Sequence, residues 1–245
     1  SEIASIGDYR CRCAHRDWGA EEVSTFDSIA IVRRGAFSRR FGRRIVVHDC
    51  NAAALFSRGQ PYPVSHPCDD HDRCTVLAFP RALIHTALDE AGVSRPGDAP
   101  FPAPGVPLLA PAFRAHARLW RLLAGPAPDR LTIDEASIDL LHHISRSFRD
   151  ASPRRESPAT RRAHADLAEN ARHALASGLH RRESLADLAR TVHASPYHLA
   201  RVFRAHTGWS ISQYRNDLRL RAAADRLADG ETSLTRLALE LGFFD

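Results

Sequence analysis

Residues 184–204, with the sequence SLADLARTVHASPYHLARVFR, decide the fold of the C-terminal part of the chain. Ser184 precedes a short apolar face, and serine is a residue type that caps helix N-termini. Ser195-Pro196 marks a second helix start, because the missing N–H of proline does no harm in the first turn. The apolar residues of that second segment recur at three-to-four spacing. The stretch therefore predicts two short helices joined by a tight turn.

The second helix of this pair leaves polar and aromatic side chains on its outer face. Such a helix fits the major groove of DNA, where arginine pairs with guanine through two hydrogen bonds. Arg201 and His198 are therefore predicted to reach base edges, whereas Ser195, Tyr197 and Arg204 are predicted to lie nearer phosphate groups. The complete set predicted to bind DNA is Ser195, Pro196, Tyr197, His198, Arg201 and Arg204. A solvated helix face is the alternative that the pattern leaves open.

The charge distribution favours the same region of the chain. The formal net charge is +5 and every basic residue is an arginine. Residues 195–221 contain five arginines (Arg201, Arg204, Arg215, Arg219, Arg221) and one acid, Asp217. A basic segment on helices is the electrostatic signature of a nucleic-acid-binding surface.

The chain also contains an internal repeat. A shift of 49 residues aligns Ser184 with Ser233 and Leu188 with Leu237, which indicates a second copy of the first short helix. Residues 210–227 between the copies read as one long helix. The sequence ends at Asp245, where a second reading helix is expected to begin.

This pattern resembles the AraC/XylS family of bacterial transcription regulators. The resemblance covers about residues 165–245 and rests on these matching positions: Ser184-Leu185-x-x-Leu188-Ala189, Ser195-Pro196-Tyr197-x-Leu199-x-Arg201-x-Phe203-Arg204, Thr207-Gly208-x-Ser210, Tyr214, Arg219 and Leu239-Glu240-x-Gly242-Phe243. It implies two helix-turn-helix subdomains joined by a long helix, each placing a helix in the major groove. We expect the chain to be truncated before the second recognition helix and, in this form, to bind DNA weakly.

The preceding residues predict an α+β chain. Short β-branched runs between glycines, such as residues 28–33 and 44–47, indicate a cupin-like antiparallel β-barrel or a sandwich. We expect a sensing β domain at 1–105, helices at 106–151 and an all-α DNA-binding domain at 160–245. The middle helices are predicted to pack on their own barrel or to form a dimer interface. No apolar run is long enough to span a bilayer, so membrane association is not expected.

Cysteine and histidine are concentrated in the β domain. Cys11 and Cys13 alternate on a predicted strand, and His66 and Cys74 flank a seven-residue loop that predicts a hairpin. These four residues form a predicted metal site, with zinc favoured by the mixed thiolate and imidazole ligands and copper(I) second. Ordinary packing of buried cysteines and a redox-active thiol are the alternatives, and Cys50 and Cys68 are further possible ligands.

The sequence thus predicts a cytoplasmic transcription regulator, not an enzyme. Its N-terminal barrel is expected to sense an effector or to bind a structural or sensory metal. Double-stranded DNA, a second copy of the chain, RNA polymerase and an unidentified small-molecule or metal effector are the expected partners. The alternative is a metal- or thiol-sensing cupin module whose helical part binds protein. A cupin metalloenzyme is disfavoured: residues 55–66 resemble the second cupin half-motif, but the His-x-His and Glu of the first are not in the sequence.

Overall fold

A computed structural model describes residues 3–11, 17–66, 72–94, 97, 99–125, 129–149, 157–181 and 183–243. The predicted α+β class is confirmed: antiparallel sheets come first, followed by helices and a C-terminal helix-turn-helix unit. No helix in these ranges combines the length and the apolar character needed to cross a membrane.

The N-terminal strands form two antiparallel sheets. The strands are β1 (Ser5–Arg10), β2 (Glu21–Val23), β3 (Ser28–Arg34), β4 (Phe37–Phe41), β5 (Arg44–His48), β6 (Ala52–Phe56), β7 (Pro61–Ser65), β8 (Arg73–Ala78) and β9 (Gly105–Pro107). One sheet has the order β1-β8-β3-β6-β9, and the other has the order β2-β7-β4-β5. The strand β3 is buried on both faces, which explains its nearly continuous apolar run.

The predicted hairpin between the strands of His66 and Cys74 is wrong. The strand β7, which ends just before His66, pairs with β2 and β4, whereas β8 pairs with β1 and β3. The segment between them therefore connects the two sheets. Loop length alone suggested a hairpin, but pairing across the sheets depends on residues far away in sequence.

Three helices cover the first sheet: α1 (Arg81–Glu90), α2 (Ala110–Leu123) and α3 (Arg130–Ser147). Leu119 of α2 and Leu140 of α3 are fully buried in one cluster with Ile29 and Leu77 of the sheet. Each such side chain contributes ~1.5–3 kcal/mol through burial of apolar surface. The apolar stripe of the middle helices therefore packs on its own β domain, one of the two predicted arrangements.

Five further helices form the C-terminal part: α4 (Pro158–Ser177), α5 (Leu185–Thr191), α6 (Pro196–Thr207), α7 (Ile211–Ala228) and α8 (Leu234–Glu240). The repeat is visible in the structure, because α5 and α8 are both seven-residue helices that begin after a capping serine. The long predicted helix between the two copies is α7.

Candidate functional site

Local capping interactions fix the α5–α6 pair. The Ser184 hydroxyl accepts from the Asp187 N–H at 3.1 Å, and the Asp187 carboxylate accepts from the Ser184 N–H at 3.1 Å. In the turn, His193 takes a left-handed conformation with φ 54°. Ser195 then caps α6 by accepting from the His198 N–H at 3.2 Å. Residues within a few positions of one another thus set both helix starts and the turn.

The outer face of α6 carries the residues predicted to bind DNA. Ser195, Pro196, Arg201 and Arg204 are exposed, and Tyr197 is 81% exposed. The inner face, which holds Leu199, Val202 and Phe203, is buried. A basic, aromatic face on a short, capped helix has the shape and charge that a major groove admits.

His198 differs from its neighbours because it is half-buried. Its ring lies 5.6 Å from the ring of His164 on α4, and its Nδ1 is 3.4 Å from an Arg201 guanidinium nitrogen. The imidazole is therefore well placed to orient Arg201, and it is less accessible than the other predicted contacts.

The five arginines of residues 195–221 fall into two groups. Arg215 donates to the carbonyl oxygen of Glu183 at 2.9 Å, and Arg219 donates to that of Leu179 at 2.8 Å. Arg221, 5% exposed, donates at 2.8 Å to the carbonyl oxygens of Cys50 and Leu108 in the β domain. These three side chains are used internally, whereas Arg201 and Arg204 project to the surface. The two groups look alike in the sequence, because the carbonyl partners of Arg215, Arg219 and Arg221 lie 32 to 171 positions away.

The second half of the repeat is anchored by Arg219 and Gly242. Gly242 has φ 78°, and a Cβ at this position would lie 2.8 Å from both the His180 carbonyl oxygen and an Arg219 nitrogen. Only glycine combines this backbone conformation with so close an approach. The following Phe243 places its ring 5.8 Å from the Arg219 guanidinium. The Gly-Phe pair thus positions the end of α8 against the end of α4.

A buried polar network joins the helix-turn-helix part to the β domain. The Tyr214 hydroxyl donates to the Asp49 carboxylate, with distances of 2.7 and 2.9 Å to its two oxygens. The same hydroxyl accepts from Arg172 Nε at 2.8 Å. Burial raises the pKa of Tyr214 well above its usual value, so the hydroxyl keeps its proton. Glu169 completes the network by accepting from the Val47 N–H at 2.8 Å.

Glu169 also contacts α6, the second helix of the helix-turn-helix pair. Its Oε1 lies 3.2 Å from His206 Nε2 near the C-terminus of α6. Burial alone would raise the pKa of Glu169, but Arg172, His206 and the Val47 N–H outweigh it and hold the pKa at about 2. The carboxylate is thus ionised at neutral pH and bridges β5, α4 and α6. These contacts fix the orientation of α6 relative to the β domain.

A second group of ion pairs joins α7 to β3 and β8. Asp225 lies 3.1 Å from a guanidinium nitrogen of Arg34 and 3.5 Å from one of Arg33. Asp229, at the end of α7, pairs with Arg73 at the start of β8. The end of β3 and the start of β8, which are neighbouring strands, therefore contact the long helix between the two copies of the repeat.

The β domain contains a cavity of about 440 Å³ between its two sheets. This volume is within the ~300–1,000 Å³ typical of small-molecule sites. Aromatic rings (Tyr9, Phe26, Phe37, Phe56, Tyr62) line much of it. Ala30, Phe37 and Cys74 line the cavity and also belong to a hydrophobic cluster that includes Phe203 and Tyr214 of the helical part. The cavity wall and the helix-turn-helix core are thus continuous.

Three possible metal ligands meet in the wall of this cavity. Among the described residues, one ligand atom each from Cys11, His66 and Asp72 lie within 4.8 Å of one another. Two of them belong to the predicted set. Cys74 lies outside this group and contacts Asp72 Oδ2 through its thiol at 3.5 Å, while Cys13 lies outside the described residues. Asp72 was missed because no spacing rule linked it to a cysteine or histidine.

The chain was compared with protein families, curated proteins and solved structures. A family model described as a helix-turn-helix domain matches residues 188–245. Among solved structures, the chain is similar to ToxT from Vibrio cholerae, with 12% identity, a TM-score of 0.41 and coverage of 99% of this chain and 89% of that chain. It is also similar to the AraC-like transcriptional activator CuxR, with 15% identity, a TM-score of 0.33 and coverage of 89% and 73%. No curated protein matches the sequence.

Proposed function

We propose, from the match of residues 188–245 to a helix-turn-helix family model, that the chain is a cytoplasmic, effector-responsive transcription regulator of the AraC type. The observation that carries the proposal is the exposed face of α6. Tyr197, Arg201 and Arg204 project from a capped helix whose opposite face is buried. In the proposed complex α6 lies in the major groove, Arg201 contacts base edges and Arg204 contacts phosphate.

The proposed role of the β domain is to bind the effector in its cavity. An occupant would contact Phe37 and Cys74, which pack in the same cluster as Phe203 of the reading helix. A small displacement of this wall would therefore be transmitted to α6. The buried bridge from Val47 through Glu169 to His206 supplies a second, polar connection to the same helix. A signal in the cavity would in this way change how the reading helix meets DNA.

A homodimer and a contact with RNA polymerase complete the proposal. Support for dimerisation comes from α3, where Leu131 is 67% exposed and Ile138 is 42% exposed. These two residues are seven positions apart, so they share one face of the helix. A twofold pair of chains would present two reading helices to two half-sites.

DNA binding is tested by fluorescence anisotropy of the chain with a mixed-sequence duplex over a range of salt concentrations. We expect affinity to fall steeply with salt, and Arg204→Ala to reduce the slope of log affinity against log salt by about 0.9. On a duplex selected from a random library, Arg201→Ala should weaken binding by ~1–3 kcal/mol and relax sequence preference.

Arg130→Ala is the matched control for charge, because Arg130 is an exposed arginine at the start of α3, outside the helix-turn-helix part of the chain. It should leave both the slope and the selectivity unchanged. Binding that is insensitive to salt, or an equal loss in the Arg130 variant, would contradict the proposal. Salt-insensitive behaviour is instead what a module whose helical part binds protein would show.

A further inference from the structure

The wall of the β-domain cavity brings together the ends of three strands. Cys11 follows β1, His66 follows β7 and Asp72 precedes β8, and all three are buried with 5%, 7% and 3% exposure. The Cys11 N–H donates to the Asp72 carbonyl oxygen at 3.0 Å, which fixes the end of β1 against the start of β8. Backbone pairing of β1 with β8 therefore holds Cys11 beside Asp72.

The Asp72 carboxylate is the most informative member of this group. Its Oδ2 accepts from the Cys74 thiol at 3.5 Å, and its Oδ1 is buried. This Oδ1 lies 3.0 Å from His66 Nε2. A buried carboxylate oxygen needs a cation or a donor beside it, and here that partner is the His66 imidazole or an ion bound between the two side chains. Its position next to an imidazole and a thiol indicates which kind of cation.

We propose that Cys11, His66 and Asp72 bind a zinc ion. Thiolate, imidazole and carboxylate are the three ligand types of protein zinc sites, whereas copper(I) prefers sulfur ligands over carboxylate oxygen. With bonds of ~2.0–2.3 Å in a tetrahedral arrangement, ligand atoms lie ~3.3–3.7 Å apart. In the structure one ligand atom from each of the three residues lies within 4.8 Å of the others. On binding, the Cys11 thiol releases its proton and the sulfur coordinates as thiolate.

Counted over the residues that the structure describes, the site has three protein ligands, which leaves the fourth zinc position open to the cavity that they line. This pattern is typical of sites that exchange a water or a ligand rather than of closed structural sites. The inference deepens the proposed function and rests on it, since the ion would lie in the wall of the effector cavity. Asp72 also precedes Arg73, whose side chain pairs with Asp229 at the end of α7. Zinc would thereby fix the strand end that contacts the DNA-binding part.

The test measures metal binding alone, without DNA. The full chain is stripped with a chelator and titrated with zinc against a chromophoric competitor, and cobalt(II) is bound in parallel as a spectroscopic probe. We expect one zinc per chain, and a tetrahedral cobalt spectrum with a thiolate-to-metal charge-transfer band. Cys11→Ser should abolish that band, and Asp72→Asn should weaken zinc binding by at least about 100-fold, more than the loss of an outer-shell partner.

Cys50→Ala is the matched control. Cys50 is a buried thiol that donates to the Arg33 carbonyl oxygen at 3.3 Å and lies outside the group, so its loss should leave zinc affinity and the cobalt spectrum unchanged. Asp72→Asn keeps the side-chain shape, and circular dichroism in chelator checks that each variant folds. No zinc uptake by the folded chain, or full affinity in Cys11→Ser and Asp72→Asn, would overturn the proposal. Failure of zinc binding leaves the anisotropy result on DNA intact, so the two proposals are judged separately.

Discussion

The replacement Tyr214→Phe isolates one atom of the network between the helical part and the β domain. The ring keeps its edge-to-face contact with Phe203 at 5.2 Å, so packing of the aromatic group is preserved. The hydroxyl, however, makes hydrogen bonds to two charged groups, Asp49 and Arg172. Its removal leaves both groups buried with one partner fewer.

The expected loss in unfolding free energy follows from these two hydrogen bonds. A hydrogen bond to a charged group contributes ~1.5–3 kcal/mol, which gives a total of ~3–6 kcal/mol for the pair. Arg172 and Asp49 already lie 3.5 Å apart and can pair more closely when the hydroxyl is gone. This direct contact reduces the expected loss in unfolding free energy to ~2–4 kcal/mol. For a chain of this size, the melting temperature should fall by about 4–16 °C.

The assay is thermal and urea unfolding at neutral pH, with Tyr197→Phe as the control. Tyr197 is 81% exposed on α6, so the same chemical change there should alter the unfolding free energy by no more than ~0.5 kcal/mol. If both variants unfold at the wild-type temperature, the hydroxyl does not stabilise the interface and the reasoning from the network is refuted. A strong effect on the exposed tyrosine would be equally contradictory.

Two further predictions concern pH and assembly. The pKa of Glu169 is held at about 2, below the ordinary glutamate value of 4.5. The ionised carboxylate therefore stabilises the folded chain above pH 4.5, and this stabilisation is lost as the pH falls towards 2. Glu169→Gln should therefore be less stable than wild type by about 3 kcal/mol at neutral pH, with the difference vanishing in acid; a pH-independent difference would contradict this assignment. Replacement of both Leu131 and Ile138 by Glu should convert the proposed dimer to a monomer in sedimentation velocity, whereas Leu220→Glu, at another exposed leucine, should not. An unchanged sedimentation coefficient in the double variant would place the dimer interface elsewhere.

The helix-turn-helix unit could be predicted from the sequence because its determinants are local. Ser184 and Ser195 act on N–H groups three residues further on, and the apolar spacing that buries Leu199 lies within α6. The repeat that relates α5 to α8 was visible for the same reason. The capping residue and the apolar spacing that define such a helix lie within about a dozen residues, so they can be recognised in the sequence.

The candidate metal site, by contrast, depends on residues that are distant in the sequence. Cys11 and His66 were predicted as ligands from residue type, but Asp72 was not, and the predicted hairpin to Cys74 does not exist. The pairing of β8 with β1 and β3 places Cys11 beside Asp72, and it depends on strand partners 39 to 73 positions away. Sequence spacing contains no information about which strands become neighbours across two sheets.

The sequence by itself determined the class of the chain, the capped reading helix and the outer face of α6. Only the tertiary structure decided how the arginines of residues 195–221 are used: Arg201 and Arg204 remain at the surface, while Arg221 satisfies backbone carbonyls of the β domain. Charge and periodicity can be read from a segment alone, whereas the burial of its side chains depends on which other parts of the chain pack against it. A guanidinium therefore looks the same in the sequence whether it will meet DNA or a carbonyl oxygen 171 residues away.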